Sequence, residues 1–156
     1  MALFVALLCL LPLLAFALPP TNSRAAGGPI AKPIPSNCTV INPLPRSNCS
    51  IASVNGWKPR SNLTTLYETY VDPPTPATEL WQQCSQQCYG YGDSGDCKSA
   101  FLAQSVVTPK GYLGSSGGQL ATACLMFDQY LTPNGFEKAE DERYLNATAG
   151  SIYCGY

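Results

Sequence analysis

The longest apolar run of the chain lies at its beginning, in MALFVALLCLLPLLAFALPP. Residues 2–18 are uncharged, and Ala15 and Ala17 have the small-x-small spacing of a signal-peptide cleavage site. The run is short and is interrupted by prolines, which disfavours a membrane-spanning helix. We therefore predict a signal peptide over residues 1–17, cleavage after Ala17 and a secreted, extracellular protein.

A proline-rich segment follows the predicted signal peptide. Residues 18–48 contain many prolines and small residues without a periodic apolar pattern, so we predict an extended leader there. Folding is predicted to begin near Cys49. The remaining length suits one domain, which we assign to residues 49–156.

Apolar and polar positions beyond the leader predict several strands and one helix. The segment DPPTPATELWQQCSQQCYGYG is typical of a helix that Thr78 caps and that ends at Gly90. The alternation in LTTLYETYV indicates a half-buried strand, whereas CKSAFLAQSVV and ATACLMFDQYL indicate buried strands. The predicted strands cover SIASVNGW at 50–57, then 63–71, 97–107, 121–131 and a short strand at 151–154.

The charge of the chain excludes several classes of partner. Nine Lys and Arg residues nearly balance ten Asp and Glu residues, and no basic run occurs. Nucleic acids and anionic membranes are bound through clustered positive charge, so neither is expected as a partner.

Four N-glycosylation sequons agree with secretion. Those at Asn62 and Asn146 are the stronger predictions. The sequons at Asn37 and Asn48 have a cysteine in the middle position, where disulfide formation competes with modification.

Cysteine spacing decides which chemistry the chain can carry. Cys84 and Cys88 are four residues apart on the predicted helix, so their side chains leave the same face. A Cys-x-x-Cys redox pair is one residue shorter, and a zinc site would usually need histidine, which the chain lacks. In a secreted protein the cysteines are expected to form disulfides, and we expect neither a metal nor a cofactor.

A helix lying across a sheet can send its two cysteines to neighbouring strands. Cys88, the second cysteine of the helix, is closest in sequence to Cys97. Cys84 is then left for Cys124 on the other strand, and the last pair joins the two ends of the domain. The predicted pairs are Cys84–Cys124, Cys88–Cys97 and Cys49–Cys154.

One cysteine then remains. The chain has eight cysteines, and removal of Cys9 with the signal peptide leaves an odd number. We assign Cys38, in the leader, as the unpaired thiol, able to link two molecules into a dimer. In the alternative, Cys49 is the unpaired thiol and Cys38 forms the disulfide with Cys154.

The run WQQCSQQCYGYGDSGDCKSAF, followed by ACLMF, resembles the core of the PAN/apple domain family. The whole chain is similar to small secreted apple-like proteins of filamentous fungi. This resemblance implies an α+β fold with one helix packed on a curved antiparallel sheet, and the same pairing of helix and strand cysteines. It also implies a non-catalytic protein that contacts proteins or carbohydrates. The long loop between the central strands and the additional Cys38 differ from the family.

Catalysis has few candidate residues. Without histidine, the commonest general base and the Ser-His-Asp arrangement are missing. A carboxylate pair of the glycosidase type could come from Asp93 and Asp96, or from the charged run at 137–142. Asp93 and Asp96 are typical of a turn and, on weaker grounds, of a calcium-binding site. The charged run at 137–142 is typical of a solvated surface. We therefore expect no enzyme.

Tyrosines next to glycines are the candidate ligand contacts. Tyr89, Tyr91 and Tyr112 lie in predicted loops, where exposed rings can stack on sugars or anchor a protein. Alternatively they fold back over the disulfides as core, where we also place Trp81 and Phe101.

We expect a secreted binding module for an extracellular protein or glycan. The alternatives are a secreted effector or cell-wall structural protein and, third, a carboxylate-dependent glycoside hydrolase.

Overall fold

The computed structural model describes residues 28–45, 56–72, 77–93, 95–139 and 143–155. The predicted signal peptide, Asn48, Cys49 and most of the first predicted strand lie outside these ranges. The elements are β1 (Cys38–Ile41), β2 (Trp57–Pro59), β3 (Tyr67–Val71), α1 (Ala77–Tyr89), β4 (Ser99–Val107), β5 (Leu120–Phe127), β6 (Phe136–Lys138) and β7 (Leu145–Cys154).

Five antiparallel strands form the main sheet, in the order β1-β7-β4-β5-β3. A second sheet consists of β2 and β6. β4 lies at the centre because its sequence, SAFLAQSVV, supplies apolar side chains to both faces. The predicted α+β class, with one helix on an antiparallel sheet, is confirmed.

Alternate side chains of the central strands pack into two separate layers. On one face, Ala100 and Leu102 of β4 pack in the same cluster as Leu80 of α1. On the other face, Phe101 packs against Phe136 of β6, with ring centroids 5.9 Å apart. The main sheet is therefore covered on one side by α1 and on the other by the small sheet.

The single α-helix of the described residues is the one that the sequence predicts. It ends immediately before Gly90, as expected. Cys84 and Cys88 lie on its buried face, with 1% and 0% of their surfaces exposed. Trp81 lies partly buried over Gly150 of β7, where an added Cβ would be 3.0 Å from the indole ring.

Two disulfides join α1 to the start of β4 and to β5. Cys84 is bonded to Cys124 in β5, and Cys88 is bonded to Cys97 just before β4. Both pairs agree with the sequence prediction, which is confirmed for them. Because the two helix cysteines are one turn apart, the bridges prevent α1 from both rotating and sliding on the sheet.

The third predicted disulfide is wrong. Cys154 is bonded to Cys38 and not to Cys49. The reason is that Cys38 begins a strand that pairs with the end of β7, and this register places it directly opposite Cys154. Cys38 is therefore not available as an unpaired thiol or for a disulfide-linked dimer. The pairing supports the alternative in which Cys49 is the odd thiol.

The segment predicted as a leader contains part of the domain, so the predicted boundary at residue 49 is too late. β1 is an edge strand of the main sheet, and Leu44 is buried in the core. The backbone N–H of Lys32 donates to the carbonyl of Gln86 in α1, at 3.0 Å. Prolines on both sides of β1 conceal it in the sequence, but none lies within Cys38–Ile41, so no hydrogen bond of the ladder is lost.

The last two strands also differ from the prediction. β7 begins at Leu145, six residues before the predicted start at 151. Its first half carries small residues, among them Ala147 and Ala149, which are buried but give a weak apolar pattern. β6 comes from the start of the charged run, where Glu137 pairs with lysine and arginine side chains of the neighbouring segment.

We expect Cys38→Ser to lower the free energy of unfolding by about 2–5 kcal/mol, because the bridge restricts the unfolded chain over a long loop. The bridge spans 116 residues. Chemical denaturation under non-reducing conditions measures the change. Cys49→Ser is the matched control and should alter the free energy of unfolding by less than about 0.5 kcal/mol, since every cysteine of the described residues is already bonded to another of them. Loss of stability in Cys49→Ser alone would contradict the observed pairing.

Candidate functional site

A concavity of about 320 Å³ lies where β4 begins and where β5 and β7 end. Its wall combines aromatic rings, a lysine and two disulfide-bonded cysteines. Of the lining residues that the structure describes, Lys98 alone is charged. The lining residues include Tyr89, Cys97, Lys98, Tyr130, Ile152 and Cys154.

The wall of this concavity is held by covalent and backbone bonds. Tyr89 is the last residue of α1, and the loop after it returns to the sheet at the Cys88–Cys97 disulfide. The backbone N–H of Lys98 donates to the Phe127 carbonyl at 2.8 Å, and its carbonyl accepts from the Ile152 N–H at 2.8 Å. The shape of the concavity is therefore set by the fold.

Tyr130, which lines the concavity, is stacked on Tyr153, which is not among the lining residues. Their ring centroids are 4.3 Å apart and their planes differ by 7°. Tyr130 and Tyr153 keep 43% and 39% of their surfaces exposed. The Nζ atom of Lys98 lies 5.5 Å from the centre of the Tyr130 ring, within cation–π range. Tyr130 therefore contacts one aromatic ring and has a positive charge over its own ring.

Two buried serines fix the loop that carries Tyr130. Ser99 and Ser151 face each other on β4 and β7, with their Oγ atoms 2.8 Å apart. The N–H of Leu131 donates to Ser99 Oγ at 3.0 Å, and Ser151 Oγ donates to the Leu131 carbonyl at 3.2 Å. Because the Ser151 proton is used in that bond, Ser99 donates to Ser151. Both backbone groups of Leu131 are satisfied, which holds the adjacent tyrosine in place.

The three tyrosines selected from the sequence lie in different places. Tyr89 lines the concavity. Tyr91 packs against Tyr67 on the helix side of the sheet, with ring centroids 6.0 Å apart. Tyr112 lies at the opposite end of the sheet. All three are half-buried, between the exposed and core alternatives that the sequence left open.

Sequence reasoning missed Lys98, Tyr130 and Tyr153. Both tyrosines fall inside predicted strands, at 121–131 and 151–154, where the apolar pattern does not distinguish an exposed ring from a buried one. Tyr153 does follow the buried Ile152, and strand alternation could have indicated its exposure. The stacking partner of each ring depends on tertiary structure and has no sequence signal.

A second concavity, of about 430 Å³, lies where β3 and β4 end. The N–H of Tyr70 donates to Tyr112 Oη at 3.1 Å, and the two rings meet edge to face with centroids 4.8 Å apart. The Tyr70 hydroxyl donates to Glu68 Oε2 at 3.2 Å. Burial, followed by the charge of Glu68, raises the pKa of Tyr70 well above its usual value, so this hydroxyl stays neutral and acts as a donor.

The carboxylates considered for catalysis lie in turn and surface positions. Asp96 Oδ2 accepts from the N–H of Asp93 at 3.2 Å, and the Asp96 N–H donates back to the Asp93 carbonyl at 3.0 Å, closing an exposed turn. Glu137 forms two ion pairs, from Oε1 to Lys58 Nζ at 3.4 Å and from Oε2 to Arg60 Nη1 at 3.8 Å. Residues 140–142 fall outside the described ranges. Within those ranges, no three His, Cys, Asp or Glu side chains are grouped as metal ligands would be.

Three of the four sequon asparagines belong to the described part of the chain, and all three lie at its surface. Asn62 occupies a turn before β3. The Asn37 amide donates to the Gly155 carbonyl at 2.9 Å. Asn146, in β7, donates from Nδ2 to Gln104 Oε1 at 2.7 Å. Whether any of them carries a glycan stays a prediction.

No family model, curated protein or solved structure matches this chain. In the part of the chain that the structure describes, no helix is both long and apolar enough to cross a membrane. The function is therefore inferred from the two concavities and the residues that build them.

Removal of the serine pair tests its role. We expect Ser99→Ala to lower the free energy of unfolding by about 1–3 kcal/mol, because the buried Leu131 N–H loses its acceptor and Ser151 Oγ loses the bond that it accepts. Urea unfolding measures the change. Ser116→Ala, at an exposed serine of the β4–β5 loop, is the control and should cost less than about 0.5 kcal/mol. Equal losses in the two variants would show that the buried network does not stabilise the fold.

Proposed function

We propose that this protein is a secreted, non-catalytic binding module whose ligand is a carbohydrate held against the Tyr130–Tyr153 pair. The observation that carries the proposal is the exposed stacked pair beside a concavity that contains Lys98. An apple-like fold of the PAN/apple type is part of the same proposal.

The chemistry of this surface suits a sugar ring. The C–H groups on one face of a pyranose pack well on an aromatic ring, whose face carries partial negative charge. The Lys98 ammonium can donate to hydroxyl or carboxylate oxygens of the same unit. A volume of about 320 Å³ is at the lower end of the range for small-ligand sites. The site therefore fits one or a few sugar units.

Preorganisation favours the same conclusion. Each tyrosine of the pair is already placed by its stacked neighbour, and Tyr130 also by the serine network. Side chains that are ordered before binding lose little conformational entropy when the ligand arrives. An aromatic surface held in this way is therefore expected to bind with useful affinity even though it is small.

The lining of the concavity favours binding over hydrolysis. A glycosidase usually needs two carboxyl groups placed on either side of the scissile bond. The charged side chain among the described lining residues is a lysine instead. This composition supports a module that holds a sugar without cleaving it.

Secretion and family membership have separate support. The apolar run at residues 2–18 and the disulfides of the described residues suit an oxidising extracellular compartment. The bonds from Cys84 to Cys124 and from Cys88 to Cys97 are those that the PAN/apple resemblance implies. The pairing supports the assignment, while the bridge from Cys38 to Cys154 is an addition to that pattern.

Tyr153→Ala tests the site directly. It should weaken oligosaccharide binding about tenfold, since loss of an aromatic anchor typically costs more than 1 kcal/mol. Tyr153→Phe is the matched control and should retain the affinity, because the ring remains. An array of chitin, β-glucan, mannan and polygalacturonate oligosaccharides selects the ligand, and calorimetry then gives Kd for each variant.

Two results would overturn the proposal. The first is the absence of saturable binding to every oligosaccharide on the array. The second is that the protein captures an extracellular protein and no sugar, and that Tyr153→Ala abolishes this capture. A protein would then be the ligand of this surface.

A further inference from the structure

The second concavity is held by a hydrogen-bonded loop. The N–H of Gly111 donates to the Ser115 carbonyl at 2.9 Å, and the N–H of Gly118 donates to the Thr108 carbonyl at 2.9 Å. Both glycines have φ near +90°, which other residues rarely adopt. Tyr112, between these bonds, is placed by its own loop as well as by the edge-to-face contact with β3.

Polar groups around Tyr112 suit an uncharged sugar. Of the lining residues that the structure describes, Asp72 alone is charged, and its carboxylate can accept from two adjacent hydroxyls. Gln119 can both donate and accept. Tyr112 Oη accepts the Tyr70 N–H, so the proton of this hydroxyl can be donated to a ligand. The negative charge disfavours acidic sugars, whereas the first concavity carries a positive charge.

The two concavities are separated by the length of β4. The first adjoins Lys98, before the strand, and the second adjoins Thr108, after it. β4 has nine residues, which corresponds to roughly 30 Å of extended chain. One sugar unit cannot reach both sites, so each would hold a different part of a polymer or a different polymer.

We propose that the concavity beside Tyr112 is a second carbohydrate subsite, for neutral sugar units, and that one chain thereby bridges two polysaccharide strands. This inference rests on the proposed function of the first concavity. Two weak sites on one rigid body bind a repetitive polymer much more strongly than either site binds a short oligosaccharide, because the second contact forms at high effective concentration.

Cross-linking of a soluble polysaccharide tests bivalency. The assay uses the Cys49→Ser protein, so that no intermolecular disulfide through this thiol supplies a second site. Added to soluble β-glucan or mannan, it should produce turbidity. Tyr112→Ala and Tyr153→Ala should each reduce that turbidity about tenfold, while each still binds short oligosaccharides through its remaining site. Calorimetry with short oligosaccharides should give two sites per chain before substitution, and in each variant one unchanged site and one about tenfold weaker site.

Asp72→Ala provides a second variant in case Tyr112→Ala does not fold. Asp72 is exposed, so its removal should leave the fold intact but also reduce turbidity. Lys110→Ala is the matched control, because this exposed loop residue does not line the concavity and should change nothing.

Distinct outcomes separate this inference from the proposed function. Full turbidity in both Tyr112→Ala and Asp72→Ala would overturn the second subsite and leave the first in place. Binding of one oligosaccharide per chain by the parent protein, with all binding lost in Tyr153→Ala, would also overturn the second subsite and leave the first in place. No binding of any oligosaccharide by the parent protein would overturn both.

Discussion

The fold depends on the attachment of α1 to the sheet by two buried disulfides. Cys84 and Cys88 are one helical turn apart and are bonded to β5 and to the residue before β4. A single bridge would allow the helix to pivot, whereas two fix both its angle and its position. Tyr89 at the end of the helix is consequently held at the edge of the sheet, where the first concavity forms.

Close packing of the layers follows from small side chains in the central strands. Ala100, Ala103, Ala123, Ala147 and Ala149 are all buried, and each allows the layers to approach without leaving space. Ser99 and Ser151 occupy equivalent buried positions but are polar. They are tolerated there because every hydroxyl has a partner, and their bonds to Leu131 determine where the loop after β5 runs.

The parts that could be predicted from the sequence are those with local signals. α1 shows a helical pattern and a terminal glycine, although Thr78, predicted to cap it, lies inside the helix, which begins at Ala77. The cysteine pairs next to α1 are close in sequence or follow from its geometry. β1 has no such signal, because it becomes a strand only through pairing with β7 at the other end of the chain. Removal of Cys9 with the predicted signal peptide would leave an odd number of cysteines, but spacing alone could not choose between Cys38 and Cys49 as the partner of Cys154.

The candidate site was harder to predict for the same reason. Tyr130 lies in the loop after β5 and Tyr153 lies in β7, and their stacking depends on the position of that loop, which the buried serines fix. A glycine beside a tyrosine indicates a turn, and it led to Tyr89 and Tyr112, which do line the concavities. It did not lead to the aromatic pair, since neither ring lies next to a glycine.

The bond between Cys38 and Cys154 joins the first strand of the described chain to the last. Tension applied to the two ends of the chain therefore passes from one strand to the other through a covalent bond, and the hydrogen bonds between the remaining strands carry none of it. Loads applied at the two chain ends would therefore leave the sheet intact. Chemical reduction would be needed before mechanical force could reach the sheet.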